Sequence, residues 1–317
     1  MDILNINNLN LSFRLESGLC ETLYGISLSL KSGEMHAIVG ESGCGKTMTA
    51  MSIIKLLPKN ALITNGEIIF NNKNILSMQE HELRKIRGSE IALIPQDPMT
   101  SLNPLYTIGN QLLEIITKDK SISKSESIEK AIKVLSLVKI PAPKEKLELY
   151  PHELSGGMKQ RVIIAMALAT NAKIIIADEP TTALDVTIQA QIMQILNDIK
   201  TNFGTSILLI SHDLGLVGEY ADEISVMYSG RIVENARKDE FFTNMKHPYS
   251  KALMESLPAN TNDKILKTIV GQPPNIQDKI EGCRFSPRCN LHDVTLCNKV
   301  PSLENRGSAH FVACHKV

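Results

Sequence analysis

Apolar positions along the chain follow two periods. Ile3, Leu9, Leu11 and Phe13 mark an early strand with broken alternation, while Ile26, Leu28 and Leu30 alternate cleanly with Ser27 and Ser29. Lys31-Ser32-Gly33-Glu34 predicts a tight turn between that strand and the next. Short apolar runs at 35–39, 91–94, 174–177 and 206–210 predict strands buried on both faces. Asn65-Gly66 predicts a turn before a short strand at 67–70, and residues 78–87 a charged helix. Helical spacing takes over at Ile128, Ala131, Ile132, Leu135 and Val138, and again at Ile188, Ile192, Leu196 and Ile199. From 107 to 149 no strand pattern occurs, so this block predicts a helical insertion between halves of an α/β core, broken by Pro141-Ala142-Pro143. A hairpin around Ser229-Gly230 and two short helices at 238–244 and 248–257 follow. Beyond Pro258 the chain is richer in Pro, Asn and Lys and predicts an irregular appendage.

Bulk properties narrow the class. The chain has 317 residues, 43% of them hydrophobic, enough for one main domain and an appendage. Lys+Arg and Asp+Glu stand at 34 each, so no broad basic surface for nucleic acid or anionic lipid is expected. The chain begins Met1-Asp2-Ile3-Leu4-Asn5, without a basic n-region and apolar h-region, and no apolar run reaches the length of a membrane span. The expectation is a cytosolic protein that meets a membrane only through a partner.

The chemistry centres on Gly40-Glu41-Ser42-Gly43-Cys44-Gly45-Lys46-Thr47, which fits the P-loop pattern G-x-x-x-x-G-K-[ST]. A phosphate chain needs many donors within a small radius, and glycines let backbone N–H groups crowd inward. Lys46 can place its ammonium on the β/γ-phosphates, and the Thr47 hydroxyl can ligate Mg²⁺. A strand before and a helix at 47–57 after it would put the phosphates on a helix N-terminus. The apolar run ending in Asp178 and Glu179 predicts a strand that delivers Asp178 beside the P-loop to hold Mg²⁺ through water. Glu179 can then polarise the attacking water. Gln96, at a strand exit, can reach Mg²⁺ or water. Phe13 is either a core residue or a stacking surface for adenine. His212, at the end of a strand, is either solvated or within reach of a γ-phosphate. Ser155 can cap a helix beginning near Met158, with Gly156 and Gly157 turning backbone N–H groups toward a ligand.

These parts, in this order, resemble the ATPase subunit of an ABC transporter. The resemblance runs nearly continuously from residue 1 to about 257: Walker A at 40–47, Q-loop Gln96, signature Leu154-Ser155-Gly156-Gly157-Met158, Walker B at 174–179, D-loop Ala183-Leu184-Asp185 and switch histidine His212. It implies a P-loop, RecA-like α/β core with an antiparallel β subdomain, a helical subdomain at about 97–170 and a small cysteine-containing extension at 258–317. It implies ATP and Mg²⁺ as cofactors, with Glu179, His212 and Gln96 in hydrolysis, and Thr47, Gln96 and Asp178 around the metal. The subunit is then expected to work as a dimer with itself or a paralogue. ATP would lie between one chain's Walker A and the signature Leu154–Met158 and Asp185 of the other. Gln96-Asp97-Pro98-Met99-Thr100-Ser101-Leu102-Asn103-Pro104, Tyr150-Pro151-His152-Glu153 and His247-Pro248-Tyr249 are similar to the oligopeptide/dipeptide/nickel importer branch, as is Gly282-Cys283-Arg284-Phe285-Ser286-Pro287-Arg288-Cys289. That branch implies two membrane permease subunits, an extracytoplasmic substrate-binding protein and a place on the cytoplasmic face of the inner membrane. The loop at 99–106 is the candidate permease contact, and Arg161 is expected to support packing. The alternative is a soluble, non-transport ABC ATPase of repair or translation. One cassette without a long coiled-coil insertion disfavours it. Departures from the pattern are small: Met158 for a glutamine, Cys44 and Thr47 for serines, and Asn290 for a proline.

Four of the six cysteines, Cys283, Cys289, Cys297 and Cys314, cluster at the end of the chain. They lack a close C-x-x-C pair, the usual zinc spacing. Four thiolates still satisfy either Zn²⁺ or a [4Fe–4S] cluster, and the resemblance favours the cluster. Arg284 and Arg288 are expected to offset its charge. With the P-loop far back in the sequence, the nucleotide site is expected to keep nucleotide binding when the tail loses its metal.

Overall fold

A computed structural model describes residues 1–118, 122–257, 268–275, 277, 278 and 280–317. In chain order it begins with β1 (Asp2–Leu15), β2 (Gly18–Lys31), β3 (Met35–Val39), α1 (Lys46–Ile53), β4 (Ala61–Phe70) and β5 (Lys73–Asn74). Next come α2 (Glu80–Ile86), β6 (Ile91–Ile94), α3 (Pro98–Ser101), α4 (Ile108–Ile116), α5 (Lys124–Leu137) and α6 (Pro143–Lys146). They are followed by α7 (Gly156–Ala169), β7 (Ile174–Asp178), α8 (Val186–Phe203), β8 (Ser206–Ser211) and α9 (Leu214–Tyr220). The chain closes with β9 (Glu223–Tyr228), β10 (Arg231–Arg237), α10 (Lys238–Thr243), α11 (Pro248–Glu255), β11 (Glu304–Asn305) and β12 (Phe311–Val312). The fold is α/β, as expected, and it divides into two compact units: Met1–Met78 with Ile210–Val317, and Gln79–Leu209.

In the first unit an antiparallel sheet runs β2-β1-β4-β5. The broken alternation of β1 has a local cause. Its register shifts after Ile6 against β2 and after Asn7 against β4, and Asn8 takes a positive φ of 48°. Asn65-Gly66 is not a turn. It lies inside β4 opposite this bulge, where Gly66 has a φ of 99° and a Cβ would lie 2.5 Å from the Asn8 carbonyl oxygen. The strands β11-β12-β10-β9-β3 form the other layer of this unit, with β3 parallel to β9 and β9 antiparallel to β10. All five residues of β3 are buried. Ser229 and Gly230 both take positive φ, which makes the two-residue turn between β9 and β10 that their types predict.

The appendage is more than irregular chain. Its β12 pairs with β10, Glu234 opposite Val312, and so adds a strand to the sheet. A buried polar knot fixes the join. The Glu234 carboxylate accepts from the backbone N–H of Lys246 and of His247, and its Oε1 lies 2.7 Å from His310 Nε2. Phe285 packs edge-on against Tyr228, with ring centres 5.1 Å apart, and lies tilted against Tyr249 at 5.3 Å. Part of the appendage, 258–267 with 276 and 279, lies outside the described residues, as does 119–121 within the expected helical block.

In the second unit β6 runs parallel to β7, Ile91 opposite Ile174, and the continuous apolar run of β7 is buried throughout. The helical block resolves into α4, α5 and α6. On α5, Ala131, Val134 and Leu135 face inward, and Val138 just beyond it is fully buried. The strand β8 carries the chain from this unit into the other.

Candidate functional site

The P-loop joins β3 to α1. Gly40 must be glycine because its chain presses on β9: a Cβ there would lie 2.2 Å from the Met227 carbonyl oxygen. Gly45 occupies the N-cap of α1, so the loop's N–H groups and the helix start share one end. The helix ends at Ile53, earlier than the spacing predicts, because Lys55 turns to a φ of 48°. Lys46 is buried and spans the loop, its Nζ 2.9 Å from the Gly40 oxygen and 3.0 Å from the Glu41 oxygen. Cys44 is buried too, and that burial pushes its thiol pKa up, so it is a packing residue. Thr47 is half-buried on the first turn of α1. A cavity of about 930 Å³ opens beside the loop, lined by Phe13, Glu41, Ser42, Gly43 and Cys44, with 272–275 of the appendage on its rim. Phe13 thus stands half-buried at the wall of this cavity.

Sequence reasoning missed the residues that grip Glu41. Its backbone N–H donates to the Tyr249 hydroxyl at 2.9 Å. Its carboxylate takes both prongs of Arg288, 2.6 Å and 3.0 Å away. The tail therefore touches the P-loop. Arg284, expected beside the cysteines, is engaged elsewhere: its Nε donates to Ser229 Oγ, and its guanidinium covers the Tyr24 ring at 4.5 Å. The motif words around Tyr249 and Arg288 were visible in the sequence, but nothing in them paired with a glutamate 208 and 247 positions away.

His212 follows β8 and is exposed, while its neighbour Asp213 caps α9 by accepting from Gly215 and Leu216.

The second unit holds the other candidate groups. Asp178 ends β7 and is 2% exposed. Glu179 then turns into the left-handed region, with a φ of 46°. One carboxylate oxygen, Oε2, accepts from Gln96 Nε2 at 3.1 Å and from Thr182 Oγ1 at 3.0 Å. Gln96 and Glu179, read separately in the sequence, are thereby one hydrogen-bonded pair. Ser155 caps α7, its Oγ 3.4 Å from the Met158 nitrogen, and α7 begins at Gly156 rather than Met158. Gly157 faces α8 so closely that a Cβ would lie 2.8 Å from Ile188 Cγ2. Asp185 caps α8 through Ile188. Ser155, Gly156, Gly157 and Met158 share a cavity of about 380 Å³ with Leu184 and Asp185, while Leu154 is buried behind them. Arg161 donates to the Lys139 carbonyl and to Gln191, a packing role as expected.

The donor set expected around Mg²⁺, a hydroxyl, a carboxylate and an amide oxygen, suits a hard cation. The cysteines are a different matter. Burial raises the pKa of Cys283 and Cys289, and the charges of Cys297 and Cys314 add to it. Yet all are free, and among the described residues no three His, Cys, Asp or Glu side chains are arranged to hold a metal. The expected [4Fe–4S] or Zn²⁺ site finds no support, and Arg288, expected to offset its charge, is committed to Glu41.

A P-loop on a buried strand, with a carboxylate pair at the end of a second strand, defines a nucleotide-hydrolysing cassette. Residues 23–182 match the ABC transporter family, and residues 233–297 match the oligopeptide/dipeptide transporter C-terminal region. The chain is 45% identical to the probable peptide ABC transporter ATP-binding protein of Sinorhizobium fredii, covering 98% of this chain and 94% of that one. It is 44% identical to the dipeptide transport ATP-binding protein DppD of Bacillus subtilis, covering 98% and 94%. Against the oligopeptide transport ATP-binding protein OppD of Escherichia coli the identity is 44%, covering 99% and 93%. An ATP-binding cassette solved as a dimer in a post-hydrolysis state, bound to ADP and Pi, superposes with a TM-score of 0.67 at 28% identity. That match covers 74% of this chain and 98% of the other. A second structure, cbiO1 from Clostridium perfringens, described as part of an ABC transporter complex, gives 0.65 at 28%, covering 77% and 91%. The chain belongs to the ABC transporter ATP-binding family, in the branch that carries the oligopeptide/dipeptide C-terminal region. It is an ATPase, and the reading as a non-transport ABC ATPase is set aside.

Proposed function

We propose that this chain binds and hydrolyses ATP to power an importer of di- or oligopeptides. The observation that carries the chemistry is the Glu179 carboxylate, held by Gln96 and Thr182 directly after the buried Asp178. The peptide class rests on relatives named for peptide transport that align over nearly the whole chain. In this reading Gly40, Glu41, Ser42, Gly43, Cys44, Gly45 and Lys46 cradle the phosphates at the start of α1, and Phe13 receives the adenine. Thr47, Gln96 and Asp178 hold Mg²⁺, which supplies charge neutralisation on the β/γ-phosphates when bound. Glu179 takes a proton from the attacking water, and His212 meets the γ-phosphate.

Leu154, Ser155, Gly156, Gly157, Met158 and Asp185 serve a second ATPase subunit, itself or a paralogue. The Ser155 corner supports that assignment, since its helix start and glycines serve no phosphate-loop motif of their own. The chain works at the cytoplasmic face of the inner membrane, against two permease subunits that an extracytoplasmic binding protein supplies. Met99, Leu105 and Tyr106, 61%, 80% and 52% exposed, support a permease contact there. No helix among the described residues is long and apolar enough to cross a membrane. We retain 1–257 as the nucleotide-binding domain, with a helical subdomain at about 97–170, and 258–317 as the extension.

The test is biochemical. Lys46→Ala should weaken ATP binding in the same chain, because it removes a charge from the phosphates. Ser155→Arg should spare binding and block turnover, because the phosphate it serves belongs to the partner. Equal loss of binding from both changes in the isolated chain would defeat the shared site. For the tail, we propose that Cys283, Cys289, Cys297 and Cys314 hold a [4Fe–4S] cluster or Zn²⁺, a reading that rests on the sequence resemblance of 282–289 to the peptide-importer branch. Anaerobic protein should then carry metal that Cys→Ser at any of the four removes, and a metal-free preparation with all four thiols alkylated would end it.

A further inference from the structure

Glu41 places a negative charge on a loop that receives polyphosphate. A carboxylate there repels the ligand unless something cancels it. Arg288 does so with a two-pronged pair, its side chain only 4% exposed. The guanidinium is itself fixed, with Nε on the Val270 carbonyl, Nη2 on the Gly271 carbonyl and Nη1 on the Tyr228 hydroxyl. Glu41 is thus tied at its carboxylate to Arg288, at its N–H to Tyr249 and at its carbonyl to Lys46. All of these lie in one compact unit.

We propose that Arg288 is a positioning residue for the nucleotide site: from the C-terminal extension it neutralises Glu41 and holds the P-loop in its phosphate-receiving shape. The extension then has a direct stake in nucleotide affinity, whatever its cysteines hold. This inference rests on the reading of residues 40–47 as a polyphosphate site. A lysine would supply the charge without the fork, so the arginine is specified by geometry.

Two effects of removing Arg288 can be told apart. If Arg288 only fills space, deleting Glu41's charge as well repairs nothing. If it cancels and aims that charge, the second change relieves the repulsion. The experiment titrates the full-length chain with N-methylanthraniloyl-ATP in the presence of Mg²⁺. Arg288→Ala should weaken binding by roughly tenfold or more, since it leaves a partly buried carboxylate unpaired beside the phosphates. The double variant Glu41→Gln/Arg288→Ala should recover to within about threefold of wild type, a non-additivity expected only of a coupled pair. Arg288→Lys should fall between wild type and Arg288→Ala. Should Arg288→Ala fail to fold by circular dichroism, Arg288→Gln carries the same expectations. Wild-type affinity in Arg288→Ala, or a double variant as weak as the single, overturns the inference while leaving ATP binding intact. Failure of the wild-type chain to bind the analogue at all, matching Lys46→Ala, would instead overturn the ATP reading beneath it.

Discussion

The backbone at Glu179 sits where side chains are rarely tolerated, at a φ of 46°. Such a conformation costs about 1–3 kcal/mol and persists only where neighbours over-determine it. Gln96 and Thr182 do that by donating to the same oxygen. Glu179→Gln keeps the shape of the side chain but removes its basicity. It should bind ATP and hold it, with single-turnover hydrolysis slowed by about 10²–10⁴-fold, the range of a general base. Turnover at the wild-type rate would remove the assignment. The sequence made Glu179 and Lys46 legible because each follows a pattern within a few residues. It did not make Arg288 or Tyr249 legible as partners of Glu41, because an ion pair or hydrogen bond across most of the chain leaves no local spacing to read.

At the scale of elements, the core strands were readable because burial on both faces writes an unbroken apolar run, as in β3 and β7. The β1 bulge was readable only as a fault in alternation, and Gly66 misled because a glycine serves a turn or a bulge equally well. The tail's strand β12 is too short for any period. It is held by the Glu234 knot, where His310 is fully buried. His310→Ala should strip a donor from a buried carboxylate and cost about 2–3 kcal/mol in urea unfolding. No loss of stability would mean that the tail is only laid against β10. His247, at the cap of α11, gives a pH prediction. Burial pushes its pKa down to about 3 from 6.5, against a hydrogen bond to the Ala313 backbone that raises it. The unfolded chain takes this proton below about pH 6.5 and the folded one does not until about 3. Its contribution is therefore complete above pH 6.5 and is lost as pH falls, at up to about 1.4 kcal/mol per unit. The buried His36, also lowered by burial, acts in the same direction. Urea midpoints measured from neutral pH downward should fall less steeply for His247→Asn than for wild type. Parallel curves would show that His247 is not held neutral.

For the whole molecule, the motif order revealed the family and its ATPase class, because six short patterns in a fixed order survive without knowledge of the fold. The extension's role stayed hidden, since its charges act on residues near the start of the chain. Within the first unit that extension adds a strand, packs Phe285 on two tyrosines and grips the P-loop, so truncating it should cost nucleotide affinity as well as stability. The central claim is that ATP hydrolysis in this chain drives peptide import. The most direct measurement is uptake of a labelled oligopeptide by cells whose own copy of this chain is replaced by Glu179→Gln. Uptake should collapse while the variant chain remains at the membrane at wild-type level. Undiminished uptake with the variant as the sole copy would contradict the claim.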